Sequence, residues 1–172
     1  AWSVFIPSLE QEFTILRADV SVVFSLAVIS FTAGNFFVPF FFGRLPTALL
    51  PLLSAGLAGA GLALAGMGSG YQTIIVGFGA LFGFGCGIAY NTSLQTAQFA
   101  LPNKPGLANG IVISSFALGS ILAAHLLSDS IAVTGVRATF WVLALSVFGV
   151  GLVSVVLVAL SGIKLPRQDR TG

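Results

Sequence analysis

Positions 45–103 read LPTALLPLLSAGLAGAGLALAGMGSGYQTIIVGFGALFGFGCGIAYNTSLQTAQFALPN. This stretch contains no Asp, Glu, Lys or Arg. A helix crosses the hydrocarbon core of a bilayer with about 20 apolar residues, so this stretch is too long for one crossing. A charged side chain at the bilayer centre costs at least about 2.5–3.5 kcal/mol, so charges mark the connections between membrane helices. The stretch is interrupted by GMGSG at 66–70, a composition typical of a turn. It therefore predicts two membrane helices, over about 46–65 and 71–99.

The same spacing of charges predicts further helices on both sides of this stretch. Full spans are expected at 20–42, 106–128 and 137–161, and residues 1–7 are interpreted as the trailing end of another span. A polar tail follows at 164–172. The run FFVPFFF at 36–42 does not alternate polar and apolar residues as the strands of a membrane barrel do. We expect residues 1–172 to form a single all-α polytopic helical bundle, with five full transmembrane helices and the end of a sixth.

The composition restricts the class of protein and its partners. Apolar residues make up 56% of the chain and charged residues 7%, compared with about 25% charged residues in soluble domains. The lipid bilayer is therefore the expected environment, and the basic residues are too scattered to indicate a nucleic-acid partner. Cys86 is the single cysteine, which excludes an internal disulfide and a cysteine-based metal cluster. The spans contain no nucleophile–base pair or metal-ligand set, so we expect no enzyme, cofactor or metal.

The distribution of Lys and Arg among the connections predicts the orientation of the chain. Basic residues near span ends favour the cytoplasmic side of a membrane. If the connection at 8–19 is external, the external side holds Arg17 and Arg137, and the cytoplasmic side holds five basic residues: Arg44, Lys104, Lys164, Arg167 and Arg170. We therefore expect a cytoplasmic tail, in a plasma or cytoplasmic membrane.

Small and polar residues within the spans are the candidates for packing and for binding. Gly79, Gly83 and Gly87 recur every four residues on one helical face, a spacing typical of close helix packing in membranes. Asn91, Gln95 and Gln98 form a polar stripe on the same predicted helix, and Tyr90 flanks it. Asn35 is a similar polar residue in the span at 20–42. These side chains could contact a solute in a water-filled path or form hydrogen bonds between helices, and both interpretations remain open.

Three segments of the chain resemble the major facilitator superfamily of transporters. GFGCGIAY at 83–90 resembles that family's Gly-x-Gly-x-Gly-x-x-Tyr helix, most closely in its oxalate/formate antiporter and monocarboxylate-transporter-like branches. ALPNKPGLANG at 100–110 is similar to the loop that follows this helix, and GVRATF at 135–140 is similar to the entry to helix six. The resemblance implies the N-terminal six-helix half of a twelve-helix carrier.

This resemblance implies a function, a partner and site residues. A small organic anion, such as a mono- or dicarboxylate, would cross by alternating access between this bundle and a second six-helix half. If the polar side chains within the spans face the path, the solute would contact Asn35, Tyr90, Asn91 and Gln95, of which Tyr90 matches the family's motif. The resemblance places Gly43, Arg44, Lys104 and Arg137 in the gating loops. PTA at 46–48 replaces the acidic and basic part of the family's loop between helices two and three.

Two alternatives remain open, and the first of them follows from the lack of any Lys or Arg deep in a span. An efflux carrier for apolar compounds needs no countercharge for its substrate, whereas an anion carrier must obtain that charge from another part of the protein. A membrane scaffold or partner protein that transports nothing is the other alternative.

Overall fold

The computed structural model describes residues 16–42, 44–68, 70–162 and 165, and these residues form long helices without a β-strand. Helix α1 spans Arg17–Phe37 and continues as a 3-10 segment, Val38–Phe41. Helix α2 spans Leu49–Met67, α3 spans Tyr71–Ala100 and α4 spans Pro105–Ser161. All four helices are long and apolar enough to cross a membrane, which confirms the predicted all-α membrane bundle. The span expected at 1–7 and the tail at 164–172, apart from Leu165, lie outside the described residues.

The connections on either side of α2 are short turns. The break at 66–70 separates the end of α2 at Met67 from the start of α3 at Tyr71, where the Thr73 hydroxyl donates to the carbonyl of Gly70 at 2.6 Å. Helix α2 begins at Leu49 and not at the predicted Pro46. The Leu49 backbone N–H donates to the carbonyl of Pro46 at 2.8 Å, so residues 46–48 form a turn ahead of the helix.

The spans predicted at 106–128 and 137–161 correspond to two helical parts of α4 that meet at Gly135. Counted as one helix, α4 makes the number of long apolar helices in the described residues four and not five. Gly135, with φ 81° and ψ 170°, has a non-helical conformation inside α4. The hydroxyls of Ser130 and Thr139 lie 3.0 Å apart, whereas nine residues of straight helix would separate them by about 13 Å. The chain therefore folds back at Gly135, and we name residues 105–134 the first arm of α4 and residues 136–161 its second arm.

The connection expected between these two spans is present but shorter than predicted, because its polar residues form hydrogen bonds within the adjoining helical turns. The Thr134 hydroxyl donates to the carbonyl of Ser130 at 2.8 Å, and the Thr139 hydroxyl donates to the carbonyl of Gly135 at 2.8 Å. Hydroxyls bonded to the carbonyl four residues earlier are compatible with a helix. Gly135 alone departs from helical geometry, so the chain reverses without a loop of several residues.

Helix α2 packs antiparallel to the second arm of α4 along a row of glycines. A Cβ on Gly66 would lie 3.2 Å from the Phe140 side chain, and one on Gly59 would lie 3.5 Å from the Ala144 carbonyl oxygen. Near the start of α2, Ala55 faces Gly151. Small residues let the two helix backbones approach closely, which is the main source of packing energy between helices in lipid.

Helix α3 lies between α1 and α2 and contains a π-helical segment, Ile75–Phe82. Within this segment Gly77 meets Gly61 of α2, backbone against backbone. Directly after it, Gly83 meets α1, where a Cβ would lie 2.5 Å from the carbonyl oxygen of Ala27. A π-helical turn holds more residues than an α-helical turn. The segment therefore sets which faces of α3 Gly77 and Gly83 present to the neighbouring helices.

Two clusters of buried apolar side chains lie towards opposite ends of the bundle. We call the end with the start of α3 and the Gly135 bend the Tyr71 end, and the end with the starts of α2 and α4 the Lys104 end. The cluster at the Tyr71 end includes Val20, Leu62, Ile74, Leu127 and Phe140. The cluster at the Lys104 end consists of Val38, Phe42, Leu50, Ile88 and Leu165.

Candidate functional site

An amide pair joins α1 and α3 at their crossing. The Asn91 side-chain amide donates to the backbone carbonyl of Asn35 at 3.0 Å and also to the Asn35 side-chain oxygen. Gly87, one turn before Asn91, lies against the backbone of Phe31 and Asn35, so a side chain there would separate the helices. The glycine on α3 thus positions the two amides within hydrogen-bond distance.

Two polar atoms, one within this amide pair and one on the next residue of α3, are buried without a hydrogen-bond partner among the described residues. They are the side-chain oxygen of Asn91 and the hydroxyl of Thr92, a residue only 4% exposed. Buried polar atoms are usually hydrogen-bonded, so an unpartnered acceptor inside a membrane helix indicates a place where a donor can bind. Thr92 could not be recognised as a candidate from the sequence, because a lone threonine in a helix usually bonds a carbonyl of its own helix.

Tyr90 lies between two phenylalanines from different helices. Its ring centroid is 5.6 Å from that of Phe31 in α1, with the rings inclined by 50°. It is 5.7 Å from that of Phe116 in the first arm of α4, in an edge-to-face arrangement at 72°. Aromatic pairs at these distances fix the orientation of a ring. Tyr90 is half-buried and links three helices next to the amide pair.

The polar stripe on α3 has two different parts. Gln98, at the end nearer Lys104, donates from its side-chain amide to the side-chain oxygen of Asn109 in α4, at 2.7 Å. Gln95 is half-buried and has no hydrogen-bond partner among the residues that the structure describes. Gln98 thus joins α3 to α4, and Asn91 joins α3 to α1. Gln95 lies between them in the sequence, and its side-chain amide forms no hydrogen bond with another described residue. Asn109 was also missed from the sequence, although an amide inside the predicted span at 106–128 is a signal.

The structure therefore brings four of the predicted binding residues to one region of α3 and the facing part of α1. We name Asn35, Tyr90, Asn91 and Gln95 the α1–α3 polar group. Its side chains offer amide and hydroxyl donors together with an unpartnered amide oxygen. In the described part of the chain, no three His, Cys, Asp or Glu residues lie close enough to hold a metal ion.

The residues predicted for gating are not gathered in one place. Arg44 and Lys104 are exposed at the Lys104 end, in the connections before α2 and α4. Arg137 is exposed at the other end, beside the Gly135 bend, and its carbonyl faces Gly66 of α2. Gly43 lies outside the described residues.

A contact that the sequence did not reveal lies at the Lys104 end. The backbone N–H of Leu165 donates to the hydroxyl of Thr47 at 3.0 Å, and both residues are buried. This hydrogen bond joins positions 118 residues apart in the sequence. It attaches the chain after α4 to the turn before α2.

Comparison with known proteins finds a distant similarity to a transporter. No protein-family model matches the chain. The chain is 27% identical over 176 aligned positions to an oxalate:formate antiporter from Oxalobacter formigenes. The alignment includes 98% of this chain but 39% of the antiporter, so the chain spans well under half of that protein's length. Together with the apolar helices, this makes the chain an integral membrane protein with distant similarity to a transporter.

Proposed function

We propose that this chain carries a small organic anion, such as a mono- or dicarboxylate, by alternating access as one half of a larger carrier of the major facilitator type. The observation that carries the proposal is the α1–α3 polar group, which places amide and hydroxyl donors inside helices that are mostly apolar. The similarity to an oxalate:formate antiporter over 39% of its length supports both the class of solute and the half-carrier arrangement. Single bundles of such carriers work in pairs, with the solute between them.

The chemistry of the α1–α3 polar group suits a carboxylate. The amide of Gln95 and the hydroxyl of Tyr90 can each donate a hydrogen bond to a carboxylate oxygen. Hydrogen bonds to a charged acceptor are stronger than those between neutral groups. These donors orient the anion but do not neutralise it, because Lys and Arg are absent from the middle of the spans. The countercharge therefore comes from the second half of the carrier, which is the partner that we propose.

The test is a comparison of two glutamines on α3. In the complete carrier, Gln95→Leu should raise the dissociation constant for oxalate about five- to 150-fold, the equivalent of about 1–3 kcal/mol for an unsatisfied partner. Gln72→Leu, at an exposed position near the Tyr71 end of the same helix, is the matched control and should bind normally. Isothermal titration with oxalate and formate measures both variants. Normal oxalate binding by Gln95→Leu would remove this residue from the site.

The same experiment separates the carboxylate carrier from its alternatives. A carrier for apolar compounds should bind a lipophilic dye such as Nile red, show no affinity for oxalate, and be insensitive to Gln95→Leu. A scaffold should bind neither probe. The absence of a cation deep in the spans is the observation that keeps the apolar carrier as the second candidate.

A further inference from the structure

Thr92 is an exception among the threonines of these helices. The hydroxyls of Thr32, Thr96, Thr134 and Thr139 each donate to the backbone carbonyl four residues earlier. The hydroxyl of Thr92 forms no such bond and has no partner among the described residues, although the residue is only 4% exposed. A threonine inside a helix commonly satisfies its hydroxyl on its own backbone. Thr92 therefore keeps both its hydrogen and its lone pairs available to a bound group.

The side-chain oxygen of Asn91 is the second buried polar atom of this kind, and Asn35 fixes its chemistry. The amide nitrogen of Asn91 faces two oxygens of Asn35, the backbone carbonyl and the side-chain oxygen. The opposite orientation of the amide would set oxygen against oxygen, so the unpartnered atom is the oxygen, which only accepts hydrogen bonds. Consecutive residues of α3 therefore present one acceptor and one hydroxyl.

A hydroxyl group is the partner that satisfies both atoms. It can accept a hydrogen bond from Thr92 and donate its own hydrogen to Asn91, and bonds of about 2.8 Å let it bridge atoms up to about 5.6 Å apart. A carboxylate has no hydrogen to donate to Asn91. An ammonium group would bring a buried positive charge, and no acidic residue lies between Asp19 and Asp129 to neutralise it.

We propose that Asn91 and Thr92 form a subsite for a hydroxyl group, supplied by the solute or by an ordered water molecule. The solute as source rests on the proposed function, in which Tyr90 and Gln95 bind the carboxylate next to this subsite. The subsite then selects a small carboxylate with a hydroxyl on the neighbouring carbon over one with a methyl group there. With water as source, the water belongs to the helix packing, and a hydroxyl on the solute makes no difference.

Glycolate and propionate test the solute as source, because a hydroxyl in the first replaces a methyl group in the second. In the complete carrier, isothermal titration should give a dissociation constant for glycolate at least about fivefold below that for propionate. Thr92→Val keeps the shape of the side chain and should remove this difference by weakening glycolate binding alone. Thr96→Val is the matched control and should preserve the difference, because its hydroxyl is bonded within its own helix.

Unfolding of the same variants without solute tests water as source. If water occupies the subsite, Thr92→Val should lower the folding equilibrium constant in mixed detergent–SDS micelles by about fivefold or more, because the water loses a partner. Thr96→Val should change this constant by less than about twofold.

The subsite is overturned if Thr92→Val leaves the folding constant unchanged or raises it and the wild-type carrier binds glycolate no better than propionate. A preference for glycolate that survives Thr92→Val, with an unchanged folding constant, would place the hydroxyl elsewhere and overturn it as well. A carrier that binds neither acid contradicts the proposed function, and the folding constants then decide the subsite alone.

Discussion

The amides of α3 show how a single residue can serve either packing or binding. Asn91 is occupied by Asn35, and Gln98 by Asn109, so these amides hold helices together in the structure. Gln95 has the same chemistry and no such partner among the described residues. The difference depends on what faces each side chain, and a helical spacing in the sequence does not contain that information.

The Asn35–Asn91 pair should show a measurable coupling energy. Replacing Asn91 by Leu leaves the Asn35 side-chain oxygen without its donor, and replacing Asn35 by Leu removes one of the two acceptors. In a double-mutant cycle we expect a coupling of about 0.6–2 kcal/mol, the range for hydrogen bonds between membrane helices. Unfolding in mixed detergent–SDS micelles measures the four free energies. Strictly additive losses would show that the two amides do not stabilise the bundle as a pair.

At the scale of elements, glycines decide how closely the helices approach. Gly77 faces α2 and Gly83 faces α1, on either side of α3. The spacing of Gly79, Gly83 and Gly87 indicated one packing face, and the structure places α1 opposite all three. The sequence could not identify α1 as the partner helix, because a stripe of small residues indicates close packing without indicating which helix packs there.

Gly83→Leu should disrupt the bundle. Its side chain would enter the space taken by the backbone of Ala27, which cannot move without separating α1 from α3. Overpacking of this kind costs typically about 1–3 kcal/mol or more. Gly119→Leu is the matched control, because open space surrounds Gly119. Size-exclusion chromatography after solubilisation should show aggregation for the first variant alone, and equal monodispersity of both would contradict this interface.

Gly135→Ala tests the reversal inside α4. The backbone there has φ 81° and ψ 170°, a region that an L-residue occupies at a cost of about 1–3 kcal/mol. Gly149→Ala, in the second arm with open space around it, is the control and should be neutral or slightly stabilising, since alanine favours helix. Thermal unfolding followed by circular dichroism compares them. An unchanged midpoint for Gly135→Ala would mean that the reversal tolerates a side chain.

At the scale of the whole molecule, composition indicated the architecture because the cost of burying charge acts on every span. The positions of the charges were enough to predict an all-helical membrane bundle, and the composition GMGSG predicted the break at 66–70. The shortness of the connection inside α4 could not be predicted in this way, because Thr134 and Thr139 resemble loop residues until their hydroxyls are seen to bond carbonyls four residues earlier. The burial of Leu165 could not be predicted either, because a single leucine in a polar tail forms no periodic pattern.

The orientation of the bundle is a prediction at this scale. Arg44 and Lys104 lie at one end and Arg137 at the other. The sequence predicts that the basic tail lies on the same side of the membrane as Arg44 and Lys104. Because basic connections remain in the cytoplasm, a reporter fused after Gly172 should be cytoplasmic and one inserted at Ser69 should be external. Paired phosphatase and fluorescent-protein fusions measure both positions. The opposite pattern would reverse the orientation and remove support for the family resemblance.

The π-helical segment Ile75–Phe82 has a consequence for how related chains should be aligned. Such a segment corresponds to an inserted residue within an α-helix. A relative that is one residue shorter here would form a regular α-helix and still direct the equivalents of Gly77 and Gly83 towards the same neighbours. A gap in the alignment therefore belongs inside this helix, where gaps are usually avoided, and not in the flanking turns. Placed in a turn, it would shift every glycine on one side of the segment to the wrong helical face.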